Sequence, residues 1–279
     1  MIVDVHSHLF DNHERIGDPF RSDSQRAHGG FVDLTVRYEE YAASAPAGTR
    51  AIVVGGKARL SGLWVPDEQI AAYVAAHPEL VGYLALDPTQ PGWRDELEHG
   101  HQDLGLRGIK LMPMYAGFDP AAPEYDDLYG YAERNELPLL VHTGTTFVSA
   151  APLKYAMPVH LDEVAIRHPE LRMTLAHLGH PFEGECIAVI RKHPHVYADV
   201  SALHYRPFQL WHSLRLAQDY GVWGKLLFGS DYPFTTVDAS IEGLRALGEV
   251  AGIPGLDPLD RDEIERLIHR DGLALLGLD

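Results

Sequence analysis

Short apolar runs recur along the whole chain, at residues 2–5, 51–56, 81–87, 108–112, 139–142, 173–177, 196–202 and 226–229. Several are rich in β-branched residues and nearly continuous in apolar character, the pattern of parallel strands buried on both faces. Between them lie stretches with apolar residues at helical spacing: 67–76, 93–104, 125–135, 161–167, 183–192, 207–220 and 239–250, with 260–276 predicted as one closing helix. Strands alternating with helices predict βαβ units, and eight of them predict a closed (β/α)8 TIM barrel of the α/β class. An open doubly wound sheet is the alternative; the absence of a Gly-x-Gly-x-x-Gly turn after the first run counts against it. No Pro/Gly/Ser linker or low-complexity tract divides the sequence, so residues 1–279 read as a single domain.

The longest stretch expected to be irregular is 9–30, with His13, Arg15, Arg21 and His28. A connection of this length after a barrel strand falls on the active-site face. His77-Pro78, His168-Pro169 and His193-Pro194 each end a helical stretch and precede a strand. Proline stops the helix and histidine suits its negative end, so these three histidines read as structural and remote from the chemistry.

Composition narrows the function. The net charge of -17 repels phosphate backbones and anionic membranes, so neither nucleic acid nor membrane is an expected partner. No apolar run approaches the roughly 20 residues of a membrane span, and the start Met-Ile-Val-Asp-Val-His-Ser-His does not read as a signal peptide. The single cysteine, Cys186, forms no internal disulfide and fits a reducing, cytoplasmic setting. The expected partner is a small-molecule substrate.

With 17 histidines, position matters more than number. The first run ends in His6-Ser7-His8, where alternation points both histidines the same way, into the barrel mouth. The fourth run carries Lys110, the fifth ends at His142, the sixth at His177 followed by His180, and the eighth leads into Asp231. Three histidines and an aspartate from three strand ends suit a borderline cation such as zinc, with a position left open for water. Taken singly, each has a blander reading: His-x-His is a weak signal, a strand-end histidine is commonly a bonded core residue, and Asp231 alone would cap a turn. Their joint order favours a metal. His204, Tyr205 and Arg206 after the seventh run, and Trp64 after the second, are candidates for substrate contact; Arg206 suits a carboxylate because its fork pairs bidentately. Asp199 is a candidate to anchor a ligating histidine from behind.

The segments Val3-Asp4-Val5-His6-Ser7-His8, Gly108-Ile109-Lys110-Leu111, Val141-His142-Thr143-Gly144, Ala176-His177-Leu178-Gly179 and Phe228-Gly229-Ser230-Asp231-Tyr232-Pro233 span nearly the whole chain in order. In this the sequence resembles the amidohydrolase superfamily, and within it the amidohydrolase 2 group that includes aminocarboxymuconate semialdehyde decarboxylase-like enzymes. The resemblance implies that His6, His8, His142 and Asp231 bind a divalent metal. Asp231 would also take a proton from the metal-bound water. His177 would stabilise charge on the substrate oxygen or bind a second metal. Lys110 would be either a carboxylated lysine bridging two metals or an ammonium that pairs with Asp231 or a substrate carboxylate. One Zn2+ is favoured, with Mn2+ as the alternative and a binuclear site left open. Urease-like relatives carry a β-sandwich that this sequence lacks, and TatD-like nucleases use a glutamate near the position of Lys110. A homo-oligomer is compatible with the resemblance, although no segment marks an interface.

The expected activity is hydrolysis of an amide, lactone or ester in a small, carboxylated molecule. Its alternative is non-oxidative decarboxylation of an aromatic or muconate-like acid. A barrel that only binds a ligand is disfavoured, because buried charge at the mouth is costly to keep without a use.

Overall fold

The computed structural model describes residues 1–11, 15–252 and 255–279; His13 lies outside the described residues. Eight parallel strands form one sheet: β1 (Val3–His8), β2 (Arg50–Val54), β3 (Leu80–Leu86), β4 (Ile109–Leu111), β5 (Leu139–Val141), β6 (Met173–Leu175), β7 (Val196–Asp199) and β8 (Leu226–Leu227). The sheet closes where Val5 N–H donates to Phe228 O at 2.9 Å, Asp231 N–H to His6 O at 2.7 Å and His8 N–H to Tyr232 O at 2.8 Å. The fold is a (β/α)8 barrel, as the alternation of apolar runs and helical stretches requires.

Residue parity sorts the strands. Ala85, Lys110, Leu140 and Thr174 are register partners across β3 to β6 and point inward. Leu84, Leu139 and Leu175 face the helices. In β1, Val3 and Val5 pack inside the barrel with Ile52, Tyr83, Leu140 and Leu227, yet His6 and His8 also face inward. The change of parity coincides with an irregularity in the β1–β2 register between Asp4 and Ser7, a bulge that re-aims the side chains following it. Asp4 stabilises this seam from outside. Its carboxylate accepts from His6 N, Ser230 N, Ser230 Oγ and Tyr41 Oη at 2.6 to 3.2 Å.

Three helical expectations need correction. The stretch 9–30 is not wholly irregular, since α1 (Asp18–His28) occupies its second half, with Pro19 in its first turn and Gly29 left-handed at its end. Those are ordinary start and stop signals. The stretch 93–104 is α-helical only over Trp93–Glu98 and continues as a π-helical turn, His99–Asp103. There a side chain at Gly100 would meet Leu84 Cβ at 3.0 Å. The closing helix 260–276 is two helices, Arg261–Ile268 and Gly272–Leu276, each N-capped by an aspartate, Asp260 and Asp271. The break lets Gly272 sit against the floor of the barrel, where a Cβ would lie 2.6 Å from Val5 Cγ1.

The His-Pro turns behave as structural stops. His77, His168 and His193 each cap a helix C-terminus; His77 stacks on Tyr38, and His193 Nε2 lies 2.6 Å from Asp162. Among the described residues no helix is long and apolar enough to cross a membrane.

Candidate metal centre

Strand ends β1, β4, β5, β6, β7 and β8 converge on one buried cluster. His8 Nε2 lies 3.0 Å and His6 Nε2 3.4 Å from the same oxygen, Asp231 Oδ1. These three residues can offer ligand atoms within 4.8 Å of one another. Asp231 reaches this place from a left-handed backbone conformation (φ 65°), which costs a non-glycine residue energy and persists where surrounding contacts enforce it. Here the enforcing contacts are its N–H bond to His6 O and the anchoring of neighbouring Ser230 by Asp4. Gly229 leaves room for this turn, since a Cβ there would lie 3.1 Å from His6 Cβ.

Burial dominates the electrostatics. It pushes His6, His8, His142 and His177 below the usual imidazole range, His8 and His142 well below it, with Lys110 or neighbouring histidine charge acting in the same direction. The imidazoles are therefore neutral, the form that carries a lone pair for a metal. Burial also raises Asp231 above the ordinary carboxylate range. Lys110, 1% exposed, is pushed down to about 8 by burial, against the attraction of Asp231 and Asp199. Its Nζ donates to His6 Nε2 at 2.9 Å.

His142 belongs to the same wall, with its ring 5.1 Å from that of His177 and 4.9 Å from Tyr115. Its Nε2 lies 3.3 Å from Thr145 O, and it is outside the tight group of His6, His8 and Asp231. A ring nitrogen directed at a carbonyl carries hydrogen, so ligation by that atom requires the proton to move or leave. His177 faces the cavity from a left-handed turn, with φ 58° at His177 and 50° at Leu178. Its backbone N–H donates to Asp199 Oδ1 at 3.0 Å. Asp199 Oδ2 accepts from His6 Nδ1 at 3.0 Å, which turns His6 Nε2 inward, the anchoring role expected of Asp199.

The cluster opens into a cavity of about 400 Å³. Its walls are aromatic, with Phe10, Phe20, Tyr115, Phe147, Tyr205 and Phe234, and Arg206 and His180 also border it. Arg206 lies over the Tyr205 ring, 4.8 Å from its centroid, and among the described residues pairs with no carboxylate. The other two substrate-contact candidates lie elsewhere. His204 turns away to Thr235 Oγ1 at 3.1 Å, packed over Gly243. Trp64 stands on an antiparallel hairpin, Lys57–Ala58 with Leu63–Trp64, and borders a separate groove with Lys57, Glu96 and His99.

Two features of the site had weaker sequence signals. Helix α1 roofs the cavity through Phe20, Ala27 and His28, and it is tied to the loop after β5. Asp23 accepts from Ser149 N at 2.7 Å and Ser149 Oγ at 2.8 Å, while Arg26 donates to Phe147 O at 2.7 Å. Gly144 brings that loop against the next one; a Cβ there would fall 2.1 Å from His180 O. Ser201, missed in the sequence, lies among His6, His177 and Asp199. Its only signal was the alternation Asp199-Val200-Ser201 at a strand end, the same spacing as His6-Ser7-His8.

Comparison with known proteins agrees with this architecture. A TIM-barrel protein from Bordetella bronchiseptica superposes with a TM-score of 0.78 at 21% identity, covering 99% of this chain and 98% of that one. A probable 2-pyrone-4,6-dicarboxylic acid hydrolase from Acinetobacter baumannii gives 0.69 at 16% identity, covering 99% of each chain. A 5-carboxyvanillate decarboxylase from Sphingomonas paucimobilis gives 0.64 at 13% identity, covering 100% of this chain and 99% of that one. No curated protein matches the sequence. The amidohydrolase family model matches residues 3–278, so the chain, with histidines and an aspartate gathered at the mouth of its barrel, belongs to the amidohydrolase family, whose members are metal-dependent enzymes.

Proposed function

We propose that the protein is a metal-dependent hydrolase that cleaves an amide, lactone or ester bond in a small carboxylated molecule. The observation that carries this reading is the meeting of His6 Nε2 and His8 Nε2 at one oxygen of Asp231, at the floor of an aromatic cavity. Two neutral imidazoles and a carboxylate are a donor set suited to a divalent ion, zinc first and manganese second. His6, His8 and Asp231 would hold it, and His142 would supply a fourth ligand on giving up its contact with Thr145 O. When bound, such an ion supplies Lewis acidity and lowers the pKa of water from 15.7 toward about 7.

The chain's own groups then divide the work. Asp231, raised by burial, accepts a proton from the attacking water at its carboxylate and returns it to the leaving group. His177 faces the same space and acts on the substrate oxygen or the water. Asp199 fixes the His6 ring. Arg206, held over Tyr205, meets the substrate carboxylate as a bidentate clamp. The phenyl and phenol walls exclude water and bind a flat carbon skeleton.

That aromatic lining also favours a second reading, decarboxylation of an unsaturated or aromatic acid at the same centre. Metal analysis of the as-purified protein, followed by turnover in ¹⁸O-water, tests both. About one zinc or manganese per chain is expected, with ¹⁸O appearing in the product of hydrolysis. Carbon dioxide release without ¹⁸O in the organic product supports decarboxylation. Failure to bind any divalent metal overturns both.

A further inference from the structure

Four polar groups meet behind the metal-facing side of the histidines. Ser201 Oγ lies 2.5 Å from Asp199 Oδ1, 2.8 Å from His177 Nδ1 and 3.2 Å from His6 Nδ1. All but His177 are buried, with Ser201 at 1% exposure and Asp199 at 0%. The donors can be assigned from what each atom is able to do. An ionised carboxylate only accepts, so the single Ser201 hydroxyl hydrogen points to Asp199 Oδ1. The Ser201 oxygen then has lone pairs free to accept. His177 Nδ1 faces that oxygen and, at 3.2 Å, the Ser201 carbonyl, which also only accepts. Two acceptors on one ring nitrogen require that nitrogen to carry the hydrogen. His177 therefore leaves its Nε2 as a bare lone pair.

We propose that Ser201 is a positioning residue that fixes the tautomer of His177 and links it to Asp199, so that His177 presents Nε2 to the cavity as a proton acceptor. This rests on the reading above only in that His177 acts at the metal-centre cavity. Asp199 thus serves two histidines, His6 directly and His177 through a hydroxyl, and the two rings stack at 5.0 Å and 24°. The grouping of His6, His177 and Asp199, which could itself hold a cation, is closed around this hydroxyl instead. In this tautomer His177 Nε2 accepts a hydrogen bond from the water or from a protonated substrate oxygen.

The test is the nitrogen NMR spectrum of histidine-labelled, zinc-loaded protein, with the His177 signals assigned by their loss in His177→Gln. In the parent, His177 Nδ1 is expected as the hydrogen-bearing nitrogen. Ser201→Ala removes the hydroxyl from a small buried site and is expected to shift the His177 tautomer ratio about tenfold, the worth of one hydrogen bond. Zinc content should stay unchanged, because Asp199 still holds His6. A His177 spectrum identical in parent and Ser201→Ala, or a parent spectrum with the hydrogen on Nε2, overturns the proposal and leaves the metal centre standing. A parent that takes up neither zinc nor manganese instead overturns the proposed function, and the tautomer is then read on the metal-free chain.

Discussion

Two clusters of charge are buried in this barrel, and they are built on opposite plans. On the flank, Lys57 Nζ sits 2.8 Å from Asp67 and 3.0 Å from Glu96, and the other oxygen of Asp67 accepts from Ala85 N–H at 2.9 Å. Burial alone would push the Lys57 ammonium down, but the two carboxylates outweigh it and hold the group above its ordinary value. At the mouth, Lys110 contacts a histidine instead of a carboxylate and is pushed down to about 8. Among the described residues His8 Nδ1 has no hydrogen-bond partner, and Asp231 and His177 sit in left-handed backbone. A satisfied buried pair steadies a fold. At the mouth, an unpaired ring nitrogen and strained backbone positions stand together, the kind of cost that is kept where chemistry needs it.

The largest effect expected is on turnover. Asp231→Asn keeps the shape of the mouth but removes the proton acceptor, and should lower kcat roughly 10³-fold. A kcat near the parent value would place the base elsewhere and weaken the contrast between the clusters. Removal of metal by a chelator should abolish turnover and leave the flank cluster, and hence much of the thermal stability, in place.

The two lysines should respond with opposite sign. Lys57→Met strands the Asp67 carboxylate and should cost roughly 3–5 kcal/mol in denaturant unfolding. Because the Lys57 pKa is raised in the fold, its contribution should be fully present below about pH 10.5 and lost as pH climbs through the higher folded value. Lys110→Met in metal-free protein should be neutral or stabilising by up to about 2 kcal/mol, since it removes a buried cation whose hydrogen bond goes to a neutral histidine instead of a carboxylate, while turnover falls. Destabilisation by Lys110→Met as large as that by Lys57→Met would erase the distinction drawn here.

The smallest effect concerns the roof. Asp23→Ala releases α1 from the loop after β5 and should raise KM roughly threefold, with little change in kcat. An unchanged KM would mean that α1 covers the cavity without gating substrate.

The barrel was legible because its eight apolar runs must be buried on both faces, and that requirement is written locally in each run. His6, His8, Lys110, His177 and Asp231 were legible for a related reason. Each stands in the last residues of a strand or in the turn that follows it, and the fold brings strand ends together. His204 and Trp64 were harder to place because loop direction is not periodic. His204 turns to Thr235 and Trp64 follows a short hairpin outward. Helix α1 had its Asp18-Pro19 start and Gly29 stop in plain view, but only a few apolar residues in between; Phe20 is the one large side chain it buries.

The sequence by itself determined the alternation of strand and helix, the family, and the residue types carried to the mouth, because periodicity and residue chemistry are local properties. Tertiary structure decided which atoms meet. The bulge that re-aims His6 and His8, the left-handed turn that delivers Asp231 and the Ser201 hydroxyl between Asp199 and His177 all depend on contacts between strands far apart in the chain. Hydrogen bonds act over about 3 Å, and only the closed barrel brings those groups within that distance.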